Sequence, residues 1–120
     1  MKKIYCLILF SFLFVGIIFA VTPTTFTVAT YNLRNANHGD SINGNGWGQR
    51  SPYIAQLIRF HGFDIFGTQE GLYNQLQEMK LMLPGYNYIG KGRDDGKTKG
   101  EHSAIFYRTD KFQLLDHGDF

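Results

Sequence analysis

The sequence lacks the residues that several classes of functional site require. Its one cysteine, Cys6, lies in the first ten residues, so the rest of the chain holds no disulfide framework and no cysteine-based metal site. The four histidines have no zinc-ligand spacing. Lys2 and Lys3 account for the whole formal charge of +2, and ten basic residues balance ten acidic ones over 21–120. This neutral balance predicts no general electrostatic attraction for nucleic acid.

The first 21 residues differ in composition from the rest of the chain. A short basic start, Met1–Lys3, precedes an almost uninterrupted apolar run over 4–21. This layout is typical of a secretory signal peptide, and Ala20 fits the last position before cleavage. An uncleaved N-terminal anchor is the alternative, because a run of this length can just span a bilayer. The expected location is therefore secreted or periplasmic, or membrane-anchored if the segment is retained.

Strand-like and helix-like patterns alternate along 22–120. Val, Ile, Thr and aromatic residues predict strands over 26–33, 63–68, 86–89, 103–107 and 112–115. Apolar spacing predicts two helices. The first has Ser51 as its N-cap and Pro52 as its first residue and stops at Gly62, and the second runs from Leu72 to Pro84. The Asn/Gly-rich residues 35–48 and the polar residues 91–99 are predicted loops. This order favours a layered α/β fold with a mixed sheet.

Three polar side chains stand at the ends of predicted strands. Asn32 ends the first strand, where it can serve a site or cap the following loop. Glu70 follows the second strand, as a magnesium carboxylate or as an acidic residue favoured by a helix N terminus. Glu101 precedes the strand 103–107 and is either functional or simply solvated. Each residue alone is ambiguous, and the set suggests a magnesium-dependent phosphoesterase.

Two other features have a functional and a structural interpretation. The Gly-rich turn 92–96 could cradle a phosphate with its backbone amides, but no helix follows it, and a plain turn is favoured. Trp47 could stack on a base or sugar, or cover the core, and the second role is favoured. His61 lies at an apolar helix position and is interpreted as structural.

The ordered set of motifs resembles one family. Residues 29–34 (ATYNLR), 63–70 (FDIFGTQE) and 100–107 (GEHSAIFY) look like the endonuclease/exonuclease/phosphatase superfamily. That superfamily includes pancreatic-type deoxyribonuclease, exonuclease III-like repair enzymes, inositol polyphosphate 5-phosphatases, neutral sphingomyelinases and deadenylases. The resemblance covers residues 26–120.

The resemblance implies roles for four residues. Glu70 would be the main carboxylate for Mg²⁺, or for Mn²⁺, and Asn32 would help to hold the metal or the scissile phosphate. Glu101 resembles the residue that orients a catalytic histidine. Arg34 falls where nuclease members place a residue near the phosphate backbone. The implied fold is a four-layer α/β sandwich, of which 22–120 would form a truncated N-terminal half.

The implied function is a secreted, metal-dependent phosphoesterase that hydrolyses phosphodiesters or phosphomonoesters. The family's catalytic histidine and its later aspartate and Asp-His motifs are absent, so these 120 residues are expected to be inactive alone. The partner would be a phosphoester substrate of unknown class, with nucleic acid among the candidates, and no stable membrane partner is expected unless the N-terminal segment is retained. A non-catalytic exported binding domain that keeps half of a magnesium and phosphate site is the alternative.

Overall fold

The computed structural model of the chain describes residues 24–118. The predicted signal peptide or anchor, residues 1–21, lies outside this part. The elements of the described part are four strands and three helices. In chain order they are β1 (Val28–Asn32), α1 (His38–Ile42), α2 (Trp47–His61), β2 (Ile65–Gly71), α3 (Tyr73–Met82), β3 (Tyr86–Ile89) and β4 (His102–Arg108). None of the helices over 24–118 has the length and apolar character needed to cross a membrane.

The strands form one mixed sheet in the order β1-β2-β4-β3. β1 and β2 are parallel, with Asn32 opposite Gln69. β4 runs antiparallel to both of its neighbours, β2 and β3. The predicted mixed sheet with helices is therefore confirmed, and the structure represents a partial domain.

One face of the sheet packs on the helices and the other is open. Phe66 and Phe106 stack at the centre of the covered face, with ring centroids 5.0 Å apart. The buried cluster around them draws residues from α2 and α3, including Ile58 and Leu76. On the opposite face Val28 and Ile105 are exposed. The alternation of side chains along each strand thus separates a core face from a face that holds much of the site described below.

The strand predicted over 112–115 is wrong. Residues 109–111 form a turn, and 112–118 have no regular structure. Both edges of β4 are already paired, with β2 and β3, so a following segment has no free edge of that strand to join. Phe112 instead bonds back to Arg108 and packs its ring edge-on against Phe26.

Two helix predictions also need correction. The first long helix begins at Trp47, not at Pro52, because Gln49 Oε1 accepts a hydrogen bond from Gly46 N at 2.6 Å and stabilises the earlier start. Its end at His61 before Gly62 is confirmed, with Gly62 in the left-handed conformation. The predicted loop 35–48 contains α1, where Asn37 acts as the N-cap and accepts from Asp40 N.

Asp64 joins three parts of the sheet at its buried end. Its carboxylate accepts a hydrogen bond from Thr27 N at 2.9 Å and pairs with Lys111 Nζ at 2.7 Å. Arg108 lies 3.6 Å away. The bond from Lys111, followed by that from the Thr27 amide, lowers the pKa of Asp64 against the opposing effect of burial. The carboxylate therefore holds the start of β1 and the end of β4 next to the start of β2.

The lowered pKa predicts an acid-sensitive contribution to stability. Because the folded state favours the ionised carboxylate, the contribution is present above the unfolded pKa of about 3.9 and is lost as pH falls through the folded value. Asp64→Asn is expected to lower the Tm by several degrees at pH 7 and to differ less from wild type at pH 3. Thermal unfolding at both pH values measures this, with the exposed Asp116→Asn as control. A difference that grows toward pH 3 would contradict the assignment.

Candidate functional site

Glu70 lies near the end of β2 in an unusual backbone conformation. Its φ is +59°, a left-handed value that non-glycine residues rarely adopt. The pairing of β2 with β4 shifts register between Thr68 and Gly71, so Glu70 occupies a bulge. Bulges redirect a side chain out of the strand's regular alternation. The backbone strain here is therefore associated with the orientation of one carboxylate.

Asn32 contacts both Glu70 and the segment that follows β1. Its Nδ2 donates to Glu70 Oε1 at 2.8 Å, so the amide positions the carboxylate. Its Oδ1 accepts from Arg34 N at 2.7 Å, which is the loop-capping role. Because Oδ1 is occupied by a backbone amide, the contact of Asn32 with the site is through its Nδ2 group.

The Arg34 side chain is bound by a carboxylate from α1. Its Nη2 lies 2.7 Å from Asp40 Oδ1, and its Nε bonds the second oxygen of that carboxylate at 2.5 Å. The Arg34 guanidinium holds the pKa of Asp40 at about 2. Arg34 itself remains exposed over 60% of its side chain. The structure therefore places Arg34 beside the site residue Asn32, with its charge paired to Asp40.

Glu101 connects two loops at the same end of the sheet. Its Oε1 accepts from Asn35 Nδ2 at 2.8 Å, and its Oε2 lies 3.2 Å from Arg93 Nη1. Glu70 and Glu101 line one open cleft, together with Arg93 and His117. The predicted residues Asn32, Glu70 and Glu101 are thus collected at one end of the sheet.

Gln75 organises the backbone around the site, and sequence reasoning missed it. This fully buried residue of α3 accepts hydrogen bonds on Oε1 from Ala36 N and Leu72 N, each at 3.0 Å. Its Nε2 donates to Arg34 O at 3.1 Å. The segment after β1 and the segment after β2 are therefore joined through one side chain. A signal was available, because position 75 falls between Leu72 and Leu76 on the apolar face of the predicted helix, where glutamine is unusual.

The Gly-rich turn closes on itself and does not form an open phosphate cradle. Asp95 Oδ1 accepts from the backbone amides of Lys97, Thr98 and Lys99 at 2.8–2.9 Å. The carboxylate therefore occupies the position that an anion would take, which supports the plain-turn interpretation.

Trp47 is buried in the core with Nε1 bonded to Glu78 at 2.6 Å, as expected for a residue that covers the core.

The histidines of the described part differ in their surroundings, and His102 carries a buried Nε2 without a hydrogen-bond partner in 24–118. His61, interpreted as a structural residue at an apolar helix position, is exposed and stacks on Phe63 with ring centroids 5.7 Å apart. His102 is buried, and its Nδ1 lies 3.1 Å from Gly100 O. Over residues 24–118, no three His, Cys, Asp or Glu side chains gather closely enough to hold a metal.

Comparison with solved structures identifies the family. A crystal structure from Bacteroides thetaiotaomicron, named as an endonuclease/exonuclease/phosphatase family protein, matches 82% of this chain at 68% identity with a TM-score of 0.80. The chain belongs to the endonuclease/exonuclease/phosphatase family. A family protein from Bacteroides vulgatus matches 72% of the chain at 48% identity with a TM-score of 0.69.

One relative in this endonuclease/exonuclease/phosphatase family has a named activity. A structure named as a mannosyl-6-phosphatase from Bacteroides thetaiotaomicron matches 80% of the chain at 68% identity with a TM-score of 0.79. The chain spans about a third of the length of these structures, from 33% to 36%. A scan against protein-family models finds no match, and a search of the curated proteins finds none either. Membership in a phosphoesterase family is thus established through structural neighbours.

The donor set at Glu70 fits the divalent cation that the family resemblance implies. Glu70 Oε1 is held by Asn32, whereas Oε2 accepts no hydrogen bond from any residue in 24–118. Carboxylate oxygens are preferred ligands of Mg²⁺, which is usually held by one or two carboxylates with waters and substrate phosphates. Glu70 would hold the cation through Oε2, and Asn32 would keep the carboxylate oriented.

The left-handed conformation of Glu70 predicts an unusual order of variant stabilities. Glu70→Gly should be more stable than Glu70→Ala by about 1 kcal/mol, because glycine adopts positive φ without a Cβ clash. Urea denaturation of both variants measures the difference. The same pair at Gln69, which is not a positive-φ residue, should show the opposite order. If alanine were the more stable residue at both positions, the strained conformation would be contradicted.

Proposed function

We propose that this chain forms the metal-carboxylate part of an exported, Mg²⁺- or Mn²⁺-dependent phosphoesterase that acts on sugar phosphomonoesters. The observation that carries the proposal is the Asn32–Glu70 pair. Glu70 has a strained backbone conformation, and its Oε1 accepts a hydrogen bond at 2.8 Å from Asn32 Nδ2 on the neighbouring parallel strand. The ends of parallel strands are where open α/β sheets place ligands. Export is supported by the basic and apolar composition of residues 1–21.

The sugar phosphate is proposed from the named relative. At 68% identity to a mannosyl-6-phosphatase, this chain is expected to contribute to a site for a sugar phosphate monoester, such as the 6-phosphate of a mannosyl group. The charge balance over 21–120 adds no support for a nucleic-acid substrate.

The chain's own residues would act by positioning. Asn32 keeps the Glu70 carboxylate in one orientation, and Gln75 fixes the segments that follow β1 and β2. Asn35 holds Glu101 at the other side of the cleft. A divalent cation bound at Glu70 would stabilise negative charge on the phosphoryl oxygens. Such preorganised positioning lowers the reorganisation needed when charge develops in the transition state.

Paramagnetic mapping with Mn²⁺ tests the metal site on the chain itself. In ¹⁵N-labelled protein, substoichiometric Mn²⁺ should broaden amide signals around Asn32 and Glu70, and excess Mg²⁺ should restore them. Glu70→Gln should lose this local broadening, because glutamine keeps the bond from Asn32 but removes the charge. Glu78→Gln is the matched control, since Glu78 lies on α3 outside the proposed metal site and bonds Trp47 of α2. The same broadening in wild type and Glu70→Gln would refute the metal carboxylate.

A further inference from the structure

The segment between β3 and β4, residues 90–101, is a hydrogen-bonded hairpin. Its backbone bonds include Arg93 N to Glu101 O at 3.0 Å and Asp94 N to Lys99 O at 3.1 Å. Asp95 closes the tip by accepting three backbone amides. A Cβ at Gly92 would approach the Lys99 carbonyl oxygen within 2.2 Å, so the two sides of the hairpin meet at a position where only glycine fits. We call residues 90–101 the hairpin below.

This rigid hairpin brings Arg93 to the cleft that contains Glu70. Arg93 and Glu70 both line the cleft, and the Arg93 side chain is exposed over 68% of its surface. Its Nη1 lies 3.2 Å from Glu101, and its Nε lies 3.3 Å from Asp94. Nη2 bonds to none of the residues over 24–118. The guanidinium is therefore oriented by two carboxylates and keeps donors for a ligand.

An anionic ligand in this cleft needs a nearby cation to offset the negative charge of the carboxylates. Glu70 and Glu101 contribute two negative charges, which repel a phosphate unless positive charge is close by. Arginine presents a planar fork of N–H donors that matches two phosphate oxygens, whereas lysine acts as a single point charge. Lys91 lines the same cleft, and Lys97 and Lys99 add positive charge to the hairpin outside it.

We propose that Arg93 is a substrate-positioning residue that binds the phosphate group of the ester through its guanidinium fork. The proposal rests on the proposed function for the identity of the ligand, but its geometry depends on the hairpin and not on the metal site. In this arrangement the hairpin holds Arg93 in the cleft that Glu70 also lines, and the bond to Glu101 orients the guanidinium. Arg93 would then set the position of the phosphate in the cleft.

Phosphate titration of the chain without metal tests this role. Inorganic phosphate is added to ¹⁵N-labelled protein in the presence of a chelator, and the dissociation constant is taken from amide shifts in the hairpin. Arg93→Ala should weaken binding about tenfold, the scale of one charge-assisted interaction. Arg93→Lys should fall between Arg93→Ala and wild type because it keeps the charge and loses the fork. Arg59→Ala, which removes an arginine bonded to Met82 O, should bind phosphate as wild type does.

Two results would overturn the proposal. Equal affinities for wild type and Arg93→Ala would exclude a phosphate contact at Arg93, and equal affinities for wild type and Arg93→Lys would exclude the bidentate fork. Spectra outside the hairpin report whether each variant keeps its fold, and Arg93→Lys provides a conservative second test. Because metal is absent, Arg93-dependent phosphate binding would stand even if Mn²⁺ mapping failed at Glu70. Conversely, Mn²⁺ binding at Glu70 with no effect at Arg93 would refute only this inference.

Discussion

Gln75→Ala is expected to lower the free energy of unfolding by about 3 kcal/mol, because it leaves two buried backbone amides without an acceptor and removes one donor from a backbone carbonyl. The amides are those of Ala36 and Leu72, whereas the carbonyl of Arg34 keeps a hydrogen bond from Arg50 Nη2 at 3.1 Å. Gln75 is fully buried, so replacement by water requires the surrounding segments to open. A buried polar group without a partner costs about 1–3 kcal/mol, and water will satisfy part of the total at the margins of this region.

The position of Gln75 gives the variant a second consequence. The lost bonds join the segment after Asn32 to the turn after Glu70, so the Asn32–Glu70 contact should also loosen. Urea denaturation measures the stability, and the ¹⁵N spectrum reports the local change. Asn74→Ala is the control, because it truncates an exposed amide side chain on the same helix. It should stay close to wild type if buried hydrogen bonds determine the effect, whereas equal stability of wild type and Gln75→Ala would contradict the role.

Most strands could be predicted from the sequence because their side chains alternate between the helix-covered face and the open face of the sheet. The prediction for 86–89 matches β3, and the predicted strand 26–33 contains β1. The strand predicted over 63–68 corresponds to β2, which ends three residues later and includes Glu70. The strand over 112–115 failed because local β propensity does not report whether a partner edge is free. α1 was missed because five residues rich in polar side chains carry no helical period, and their helix is supported by the Asn37 cap and the Arg34–Asp40 pair.

The site was predicted as a set of residue types, while its geometry was not. Glu70 was selected for its position after a strand, but a positive φ at glutamate goes against its intrinsic preference and comes from the bulge with β4. For Asn32 the loop-capping bond was predicted, whereas the bond from its Nδ2 to Glu70 was not, because that bond depends on the pairing of β1 with β2. Arg93 was considered only as part of the Gly-rich turn and not for its side chain, since its proximity to the cleft depends on the hairpin pairing.

A chimera tests the central claim that this chain carries the metal-carboxylate part of a phosphoesterase. Its described residues, 24–118, would replace the matching third of the 68%-identical phosphatase from Bacteroides thetaiotaomicron. The chimera should retain hydrolysis of that relative's substrate, because the core and the Asn32–Glu70 pair are supplied together. Glu70→Gln in the chimera should lower kcat about 100-fold or more, since a loss of several kcal/mol of charge stabilisation corresponds to that scale.

The ratio of kcat between the chimera and its Glu70→Gln variant, with Glu78→Gln as the matched control, is the most direct measurement. The predicted result is a loss of about 100-fold or more for Glu70→Gln and a change within about twofold for Glu78→Gln. Circular dichroism and thermal unfolding confirm that all three proteins are folded. An active chimera in which both variants keep full kcat would contradict the assignment of Glu70, and a folded chimera with no hydrolysis would contradict the proposed phosphoesterase role of this chain.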